Sequence, residues 1–125
     1  MPITYEVLPF ERIIRETWRG EVTIAMLREH WASMLRDDDC VRLARTLADV
    51  RQATPLFSDQ ELRAAVLEVA IPLLQGRNWT SALVVSRSLQ LHLASRYHGF
   101  ASIFSEDAIF CQVEEAERWL LKHDQ

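Results

Sequence analysis

The chain has 125 residues, of which 49% are hydrophobic and 26% charged. This composition is typical of one globular domain that buries a core and excludes a disordered segment. The formal net charge of −4, with 14 basic residues scattered among acidic ones, argues against a nucleic-acid-binding surface. No apolar run approaches the roughly 20 residues of a transmembrane helix, and the first residues do not resemble a signal peptide. We therefore expect a single cytoplasmic domain over residues 1–125 with no transmembrane segment.

Two cysteines and a run of three aspartates are the residues that first suggest a metal or redox site. Cys40 and Cys111 are single thiols without a CxxC spacing or a histidine at metal spacing, which predicts reduced thiols of the kind found in cytosolic proteins. The carboxylates of Asp37–Asp39 point in divergent directions, and no further ligand follows at calcium-loop spacing. We expect a solvated turn there, no metal and no cofactor.

The N-terminal region predicts a strand hairpin followed by a helix. Apolar and polar residues alternate over Ile3–Val7, and a second strand is predicted over Arg12–Trp18. The short loop between them indicates an antiparallel hairpin, which Gly20 ends. Thr23 is a plausible N-cap for a helix with an apolar stripe. His30 lies at the flank of that stripe, where we expect a boundary residue.

The middle of the chain predicts a strand, a loop and a capped helix. Arg42–Val50 has the composition of a strand and Arg51–Phe57 that of a loop. Ser58 and Glu61 form a capping box that starts a helix, which Pro72 should kink or end at the preceding residue. The helix is apolar over so much of its surface that it is either deeply buried or shared with another subunit. The second alternative motivates the prediction of a homodimer.

The rest of the chain alternates strands with helices. Gly76 is a helix stop, and Trp79–Ser86 contains an unbroken apolar run that is typical of a central strand covered on both faces. Ser86 or Ser88 caps the next helix, Ile109–Val113 is a short strand, and a final helix follows. The order ββαβαβαβα predicts a mixed α/β (α+β) fold with a single mixed sheet, an antiparallel N-terminal hairpin and flanking helices.

Four phrases of the sequence go beyond this general pattern: Ile3–Glu6, Gly20–Thr23, Leu47–Arg51 leading through Thr54 to Ser58, and Ile109–Leu120. They resemble phrases of SpoIIAA-like proteins, relatives of the anti-sigma-factor antagonist (STAS) domain. The resemblance covers nearly the whole chain. It implies a mixed sheet flanked by helices, a fold shared with Sec14-like lipid-binding domains, and a non-catalytic regulatory or protein-interaction module.

The resemblance also implies a phospho-switch at Ser58. STAS antagonists are switched by phosphorylation of a serine within Asp-Ser-x-Gly-Leu, at the start of the helix after the third strand. Ser58 occupies the comparable place, but Phe57 replaces the aspartate and Leu62 lacks the preceding glycine. A helix N-terminus stabilises a phosphate, although Asp59 and Glu61 would oppose it. The alternative is that Ser58 is a plain N-cap.

A second hypothesis places a ligand at the carboxyl ends of the central strands, where open sheets of βα units bind ligands. If those strands are neighbours, two helix N-termini converge there and arginine and hydroxyl groups could hold an anion. The candidate anion-binding residues are Arg51, Ser58, Ser86, Arg87 and Ser88. Alternatively, the serines cap helices and the arginines extend over the surface.

The remaining candidate residues are aromatic or imidazole side chains. Four tryptophans could line an apolar pocket, although aromatic residues more often form core: Trp18, Trp31, Trp79 and Trp119. His92 and His98 lack zinc-site spacing, and no catalytic motif is present, so we predict no enzyme activity. The leading hypothesis is a regulatory module that binds a protein partner or forms a homodimer. The alternative is a small carrier or sensor of an apolar or anionic ligand.

Overall fold

One mixed sheet organises the molecule in the computed structural model, which describes residues 2–74, 79–102 and 105–122. Within these residues the sheet has five strands in the order β1-β2-β3-β4-β5. β1 is antiparallel to β2, and the other neighbouring strands are parallel. The strands are β1 (Ile3–Leu8), β2 (Ile13–Val22), β3 (Arg45–Pro55), β4 (Trp79–Val84) and β5 (Ser105–Phe110). The predicted fold class is confirmed.

Helices connect the parallel strands, and one more helix follows β5. They are α1 (Ile24–Leu35), α2 (Asp38–Leu43), α3 (Asp59–Ala65), a π-helical stretch (Val66–Ala70), α4 (Ile71–Leu74), α5 (Ser88–Ala101) and α6 (Val113–Lys122). Two predicted N-caps are confirmed: the Met26 N–H donates to Thr23 Oγ1 and the Glu61 N–H donates to Ser58 Oγ. Each cap satisfies a backbone donor that a helix start leaves unpaired.

β2 extends further than predicted, because Gly20 lies inside it and does not end it. The register with β3 shifts between Thr17 and Arg19, and Gly20 adopts a positive φ of 69° that suits glycine. Beyond the shift, the end of β2 pairs with residues 52–55 of β3. Arg51–Phe57 was predicted as a loop, and this pairing explains why most of it is strand.

The predicted solvated turn at Asp37–Asp39 is wrong. Asp37 is the N-cap of α2, and its Oδ1 accepts from the backbone N–H groups of Asp39 at 3.0 Å and Cys40 at 3.4 Å. The beginning of the predicted strand Arg42–Val50 is therefore helical. Ala44 ends the helix with a φ of 52°, and β3 starts immediately afterwards.

The helix that starts at Ser58 continues past Pro72 to Leu74. Proline therefore does not end it at the preceding residue. The irregularity lies just before Pro72, in the π-helical stretch, and such stretches commonly bend helices. Gly76, the predicted stop, lies outside the described residues.

Two boundaries near the C-terminus also differ from prediction. α5 has Arg87 as its N-cap, without a side-chain capping hydrogen bond, so neither Ser86 nor Ser88 caps it. β5 ends at Phe110, and Val113, which was predicted as the end of the strand, begins α6.

The two faces of the sheet are covered differently. On the three-helix face, α1, α3 and α5 pack over residues such as Ile14, Trp18 and Val50. On the α6 face, α6 packs its Ala116 and Leu120 against a smaller apolar cluster. Strand alternation produces the division, because successive side chains point to opposite faces.

Candidate functional site

An internal cavity of about 50 Å³ lies between the sheet and the helices of the three-helix face. This is room for a few water molecules or a ligand of a few heavy atoms. Its lining is mostly apolar and aromatic and includes the polar side chains of Glu16, Thr46 and Ser81. The other lining residues are Trp18, Leu27, Trp31, Ala48, Val50, Leu62, Leu83, Leu93 and Tyr97. Mostly apolar walls with a few placed polar groups are typical of small-molecule sites.

The cavity exists because its floor is made of short side chains. Strand alternation places Thr46 and Ala48 of β3, and Ser81 of β4, on the three-helix face. The helices above contribute large side chains such as Leu62 and Trp31. Since protein interiors otherwise pack to the density of organic crystals, a void over these short residues is a specific feature of this core.

A buried carboxylate anchors one side of the cavity. Glu16 on β2 is 5% exposed and His30 on α1 is 7% exposed. His30 Nε2 donates to Glu16 Oε1 at 2.8 Å, and Trp18 Nε1 donates to the same oxygen at 3.1 Å. Two donors compensate for removing the carboxylate from water. The prediction that His30 is a boundary residue is therefore wrong.

Sequence patterning offered one signal for this pair. Alternate residues of β2, namely Ile14, Glu16 and Trp18, face the core of the three-helix face. Glu16 is therefore an acid at a position where an apolar residue is expected. Its partner, His30, lies 14 residues away on another element, and no local pattern connects the two.

Tyr97 also lines the cavity, near a second buried carboxylate. Burial, and then the nearby carboxylates of Asp107 and Glu16, raise the pKa of Tyr97, which keeps its hydroxyl neutral. Burial also raises the pKa of Asp107, against the opposing effects of Ser105 and His98. Ser105 Oγ donates to Asp107 Oδ2 at 2.7 Å, while Oδ1 has no hydrogen-bond partner among the described residues.

A larger groove of about 540 Å³ lies outside the cavity, between the edge strand β1 and α1. His30 lines this groove, whereas its partner Glu16 lines the internal cavity. Tyr5 and Met26 contribute to the apolar part of the groove. The Glu16–His30 pair therefore separates the interior from the surface.

The predicted anion site is only partly assembled. Arg51 donates to Asp49 through Nε at 2.9 Å and Nη2 at 2.8 Å. Burial alone would raise the pKa of Asp49, but the hydrogen bonds from Arg51 outweigh it and hold that pKa below its usual range. Arg87 Nη2 donates to the Ala53 carbonyl at 2.9 Å. Both guanidinium groups thus already have acceptors within the protein.

The serines of the predicted site have separate roles. Ser86 Oγ donates to the Arg51 carbonyl at 3.2 Å, so β3 and β4 do bring these two residues together. Ser58 makes its hydrogen bonds within its own capping box with Glu61. Ser88 is exposed at the start of α5.

Sequence reasoning missed Gln90, which is fully buried beside the predicted site. Its Nε2 donates to the Arg51 carbonyl at 2.6 Å and the Ala53 carbonyl at 3.1 Å, and its Oε1 accepts from the Ser86 N–H at 2.9 Å. Gln90 therefore ties the ends of β3 and β4 to α5. A polar residue on the inner side of α5 was the available signal.

The two thiols differ in their surroundings. Burial, and then the charge of Asp37, raise the pKa of Cys40 to about 12, which opposes thiolate formation. Cys111 is exposed. Among residues 2–74, 79–102 and 105–122, no group of three histidine, cysteine or acidic side chains could hold a metal ion. Within the same ranges no helix has the length and apolarity needed to cross a membrane.

Comparisons with known proteins identify the fold. No family model matches the chain, and no curated protein matches it. A solved structure does: an uncharacterized protein of the DUF3478 family, with a SpoIIAA-like fold, from Shewanella loihica PV-4. The TM-score is 0.59 at 20% sequence identity, over 94% of this chain and 91% of that protein. The resemblance found in the sequence is confirmed at the level of the fold, and the chain has a SpoIIAA-like fold.

Proposed function

We propose that this protein is a non-catalytic binding module that holds a small ligand in its internal cavity and acts as a carrier or sensor. The observation that carries the proposal is the cavity itself, with aromatic and aliphatic walls over a floor of short and polar residues. This favours the hypothesis of a small carrier or sensor over that of a protein-binding module. The ligand, however, is placed in the middle of the three-helix face and not at the strand ends. The occupied guanidinium groups of Arg51 and Arg87 make an anion at the strand ends the weaker hypothesis.

The proposed absence of catalysis has support in how the reactive groups are used. The Glu16 oxygen that faces His30 already accepts two hydrogen bonds. The Thr46 hydroxyl accepts from Trp79 Nε1 at 2.9 Å. The Cys40 thiol is held neutral by burial. Groups that are mutually satisfied position a ligand more readily than they transfer a proton or attack a bond.

The first test is native mass spectrometry of freshly purified protein, compared with its denatured mass. A mass excess found only in the folded protein would identify a co-purified ligand. A second test titrates tert-butyl alcohol, a compact neutral probe, into labelled protein while amide resonances are followed. We expect shifts at Ala48 and Ser81 on the cavity floor.

A cavity-filling variant makes the second test specific. Ala48→Val should fill part of the void and weaken tert-butyl alcohol binding severalfold while the fold persists. Glu6→Gln, a change at an exposed position of β1, is the matched control and should bind like the unchanged protein. Absence of both a folded-only mass excess and localised shifts would refute the proposal.

A second candidate function is partner recognition at the start of α3, as the resemblance to STAS domains implies. Leu56 is 49% exposed and Leu89 is 47% exposed. Leu89 lines a small depression together with Ser58 and Asp59. Asp59 in turn accepts from His92 at 2.9 Å. A phosphate on Ser58 would thus lie in a region with an imidazole nearby, within an apolar rim that a partner could cover.

Intact-mass analysis of the protein from its native host tests this candidate. One added phosphate that disappears in Ser58→Ala would support a switch, whereas an unmodified chain under all growth conditions would count against it.

The predicted homodimer remains a prediction. The described part of the long helix buries Leu62 and Val66 and leaves Leu67 half-exposed. Light scattering at high micromolar concentration would show whether a dimer forms.

A further inference from the structure

The internal cavity combines aromatic walls with an acidic group, and this combination selects among ligand classes. Trp18, Trp31 and Tyr97 line it. The rings of Trp31 and Tyr97 lie 5.8 Å apart between centroids and are inclined at 41°, so they form two adjoining walls. Aromatic rings have negative faces, and several rings around one site are a general means of binding ammonium groups.

The charged groups near the cavity have one predominant sign. Glu16 lines it, and Asp107 lies on the neighbouring strand position to Ser81 of the cavity floor. The nearby titratable groups from the packed elements are His30, Tyr5 and Tyr97, with His98 beside Asp107. None of the described residues that line the cavity is an arginine or a lysine.

The hydrogen bonds of Glu16 converge on one of its two oxygens. Trp18 Nε1–H and His30 Nε2–H both donate to Oε1. An ionised carboxylate accepts hydrogen bonds and donates none, and that of Glu16 carries its negative charge at the cavity wall. In a water-poor interior that charge acts over a low dielectric and is weakly screened.

We infer that the cavity selects a small organic cation, an ammonium group with a compact apolar body, with Glu16 as its counter-charge and the three rings as its walls. The inference rests on the proposed ligand-binding function and names the chemical class of that ligand. An anion would meet a carboxylate without a cationic side chain in the lining. A neutral ligand would gain apolar contacts but no electrostatic stabilisation.

The test compares isosteric probes at constant ionic strength. Tetramethylammonium chloride and tert-butyl alcohol have nearly the same shape, and pivalate adds a negative charge to the same body. We expect tetramethylammonium to bind roughly tenfold more tightly than tert-butyl alcohol, as a desolvated cation–π site with a counter-charge implies. Pivalate should bind most weakly. Amide shifts at Ala48 and Ser81 report occupancy.

Two variants assign the preference to its causes. Glu16→Gln should bind tert-butyl alcohol normally and lose most of the preference for tetramethylammonium. Trp31→Leu keeps an apolar wall and should lose part of it. Glu6→Gln, the exposed control, should retain the full preference for tetramethylammonium. If this variant also loses the preference, the effect comes only from general surface charge, and the inference is overturned.

The outcomes separate this inference from the proposed function. If tert-butyl alcohol binds in the cavity as tightly as tetramethylammonium, the cation inference is wrong and the ligand-binding function stands. If neither probe shifts the cavity resonances, in the unchanged protein and in a Leu62→Ala variant with a larger cavity, the proposed function fails and the inference fails with it.

Discussion

The two faces of the sheet are built by different rules. The α6 face packs a cluster whose buried members are all aliphatic, with Phe110 and Trp119 packed against it. The buried members are Ile13, Leu47, Ala82, Val84, Ala116 and Leu120. The buried guanidinium of Arg45 lies at its rim and donates to the carbonyls of Arg12 and Leu120. The three-helix face instead buries Glu16, Thr46 and Ser81 around a void, and His30 is buried beside Glu16.

This difference supports the proposed ligand binding. Burying polar groups and leaving a void both lower stability. The α6 face has a buried arginine and a pocket of about 80 Å³ at its rim, but its central cluster is apolar. The three-helix face instead has a carboxylate, two hydroxyl groups and a void at its centre, and conflicts between packing rules and sequence concentrate at functional sites.

The largest expected effect contrasts two leucines, one on each face. Leu47 on the α6 face and Leu62 beside the cavity are 0% and 2% exposed. Leu47→Ala should reduce the free energy of unfolding by about 4 kcal/mol, whereas Leu62→Ala should cost about 2 kcal/mol because its side chain already borders a void and loses fewer contacts. Urea denaturation measures both. Equal losses would mean that the three-helix face is as tightly packed as the α6 face.

The next effect contrasts two histidine–carboxylate pairs of similar length. The His30–Glu16 pair at 2.8 Å is buried, and the His92–Asp59 pair at 2.9 Å has side chains 57% and 48% exposed. His30→Ala should destabilise the fold by about 3 kcal/mol, because it leaves a buried carboxylate without one of its donors. His92→Ala should change stability by less than about 0.5 kcal/mol.

Thermal unfolding of both variants provides the measurement. A small effect at His30 would show that Trp18 alone compensates Glu16 and that the pair does not close off the interior. A large effect at His92 would contradict the assumption that exposed ion pairs contribute little here.

The sequence predicted what depends on local patterning and missed what depends on pairing between elements. Alternation predicted β1, and an unbroken apolar run predicted β4, which is buried along its whole length. The capping box at Ser58 was also a local signal. α2 was missed because six residues are too short to show a helical period.

The site was less predictable than the fold. The extension of β3 to Pro55 depends on a bulge in a different strand. Glu16 and His30 meet only when α1 packs on β2, and an inward-facing acid contradicts the usual pattern of a strand. Arg51 and Arg87, which were predicted to bind an anion, donate instead to Asp49 and to a main-chain carbonyl. No spacing rule identifies these partners.

A smaller effect concerns pH and the second buried carboxylate. Because burial raises the pKa of Asp107, the folded state binds its proton more tightly than the unfolded state does. Its contribution to stability is then lost as pH rises from the unfolded value of about 4 through the folded pKa. Asp107→Asn should stabilise the protein at pH 7, by on the order of 1 kcal/mol.

Thermal unfolding of Asp107→Asn at pH 4 and pH 7 checks the sign. The variant should gain more at pH 7 than at pH 4, and Glu6→Gln, at an exposed position, should gain at neither. A variant that is less stable at pH 7 would show that the charged form of Asp107 has a stabilising partner in the native protein.

The smallest expected effect separates the two serines that were predicted at helix starts. Ser58 Oγ accepts the Glu61 N–H at 3.1 Å, whereas α5 begins without a side-chain cap and Ser88 is its first residue. Ser58→Ala should therefore cost about 1 kcal/mol of unfolding free energy, and Ser88→Ala should fall within about 0.5 kcal/mol of zero. Urea denaturation of the two variants side by side resolves the difference. If Ser58→Ala proves neutral, the capping box does not stabilise α3. A capping role would then no longer explain the serine at this position, and the phospho-switch would remain as its explanation.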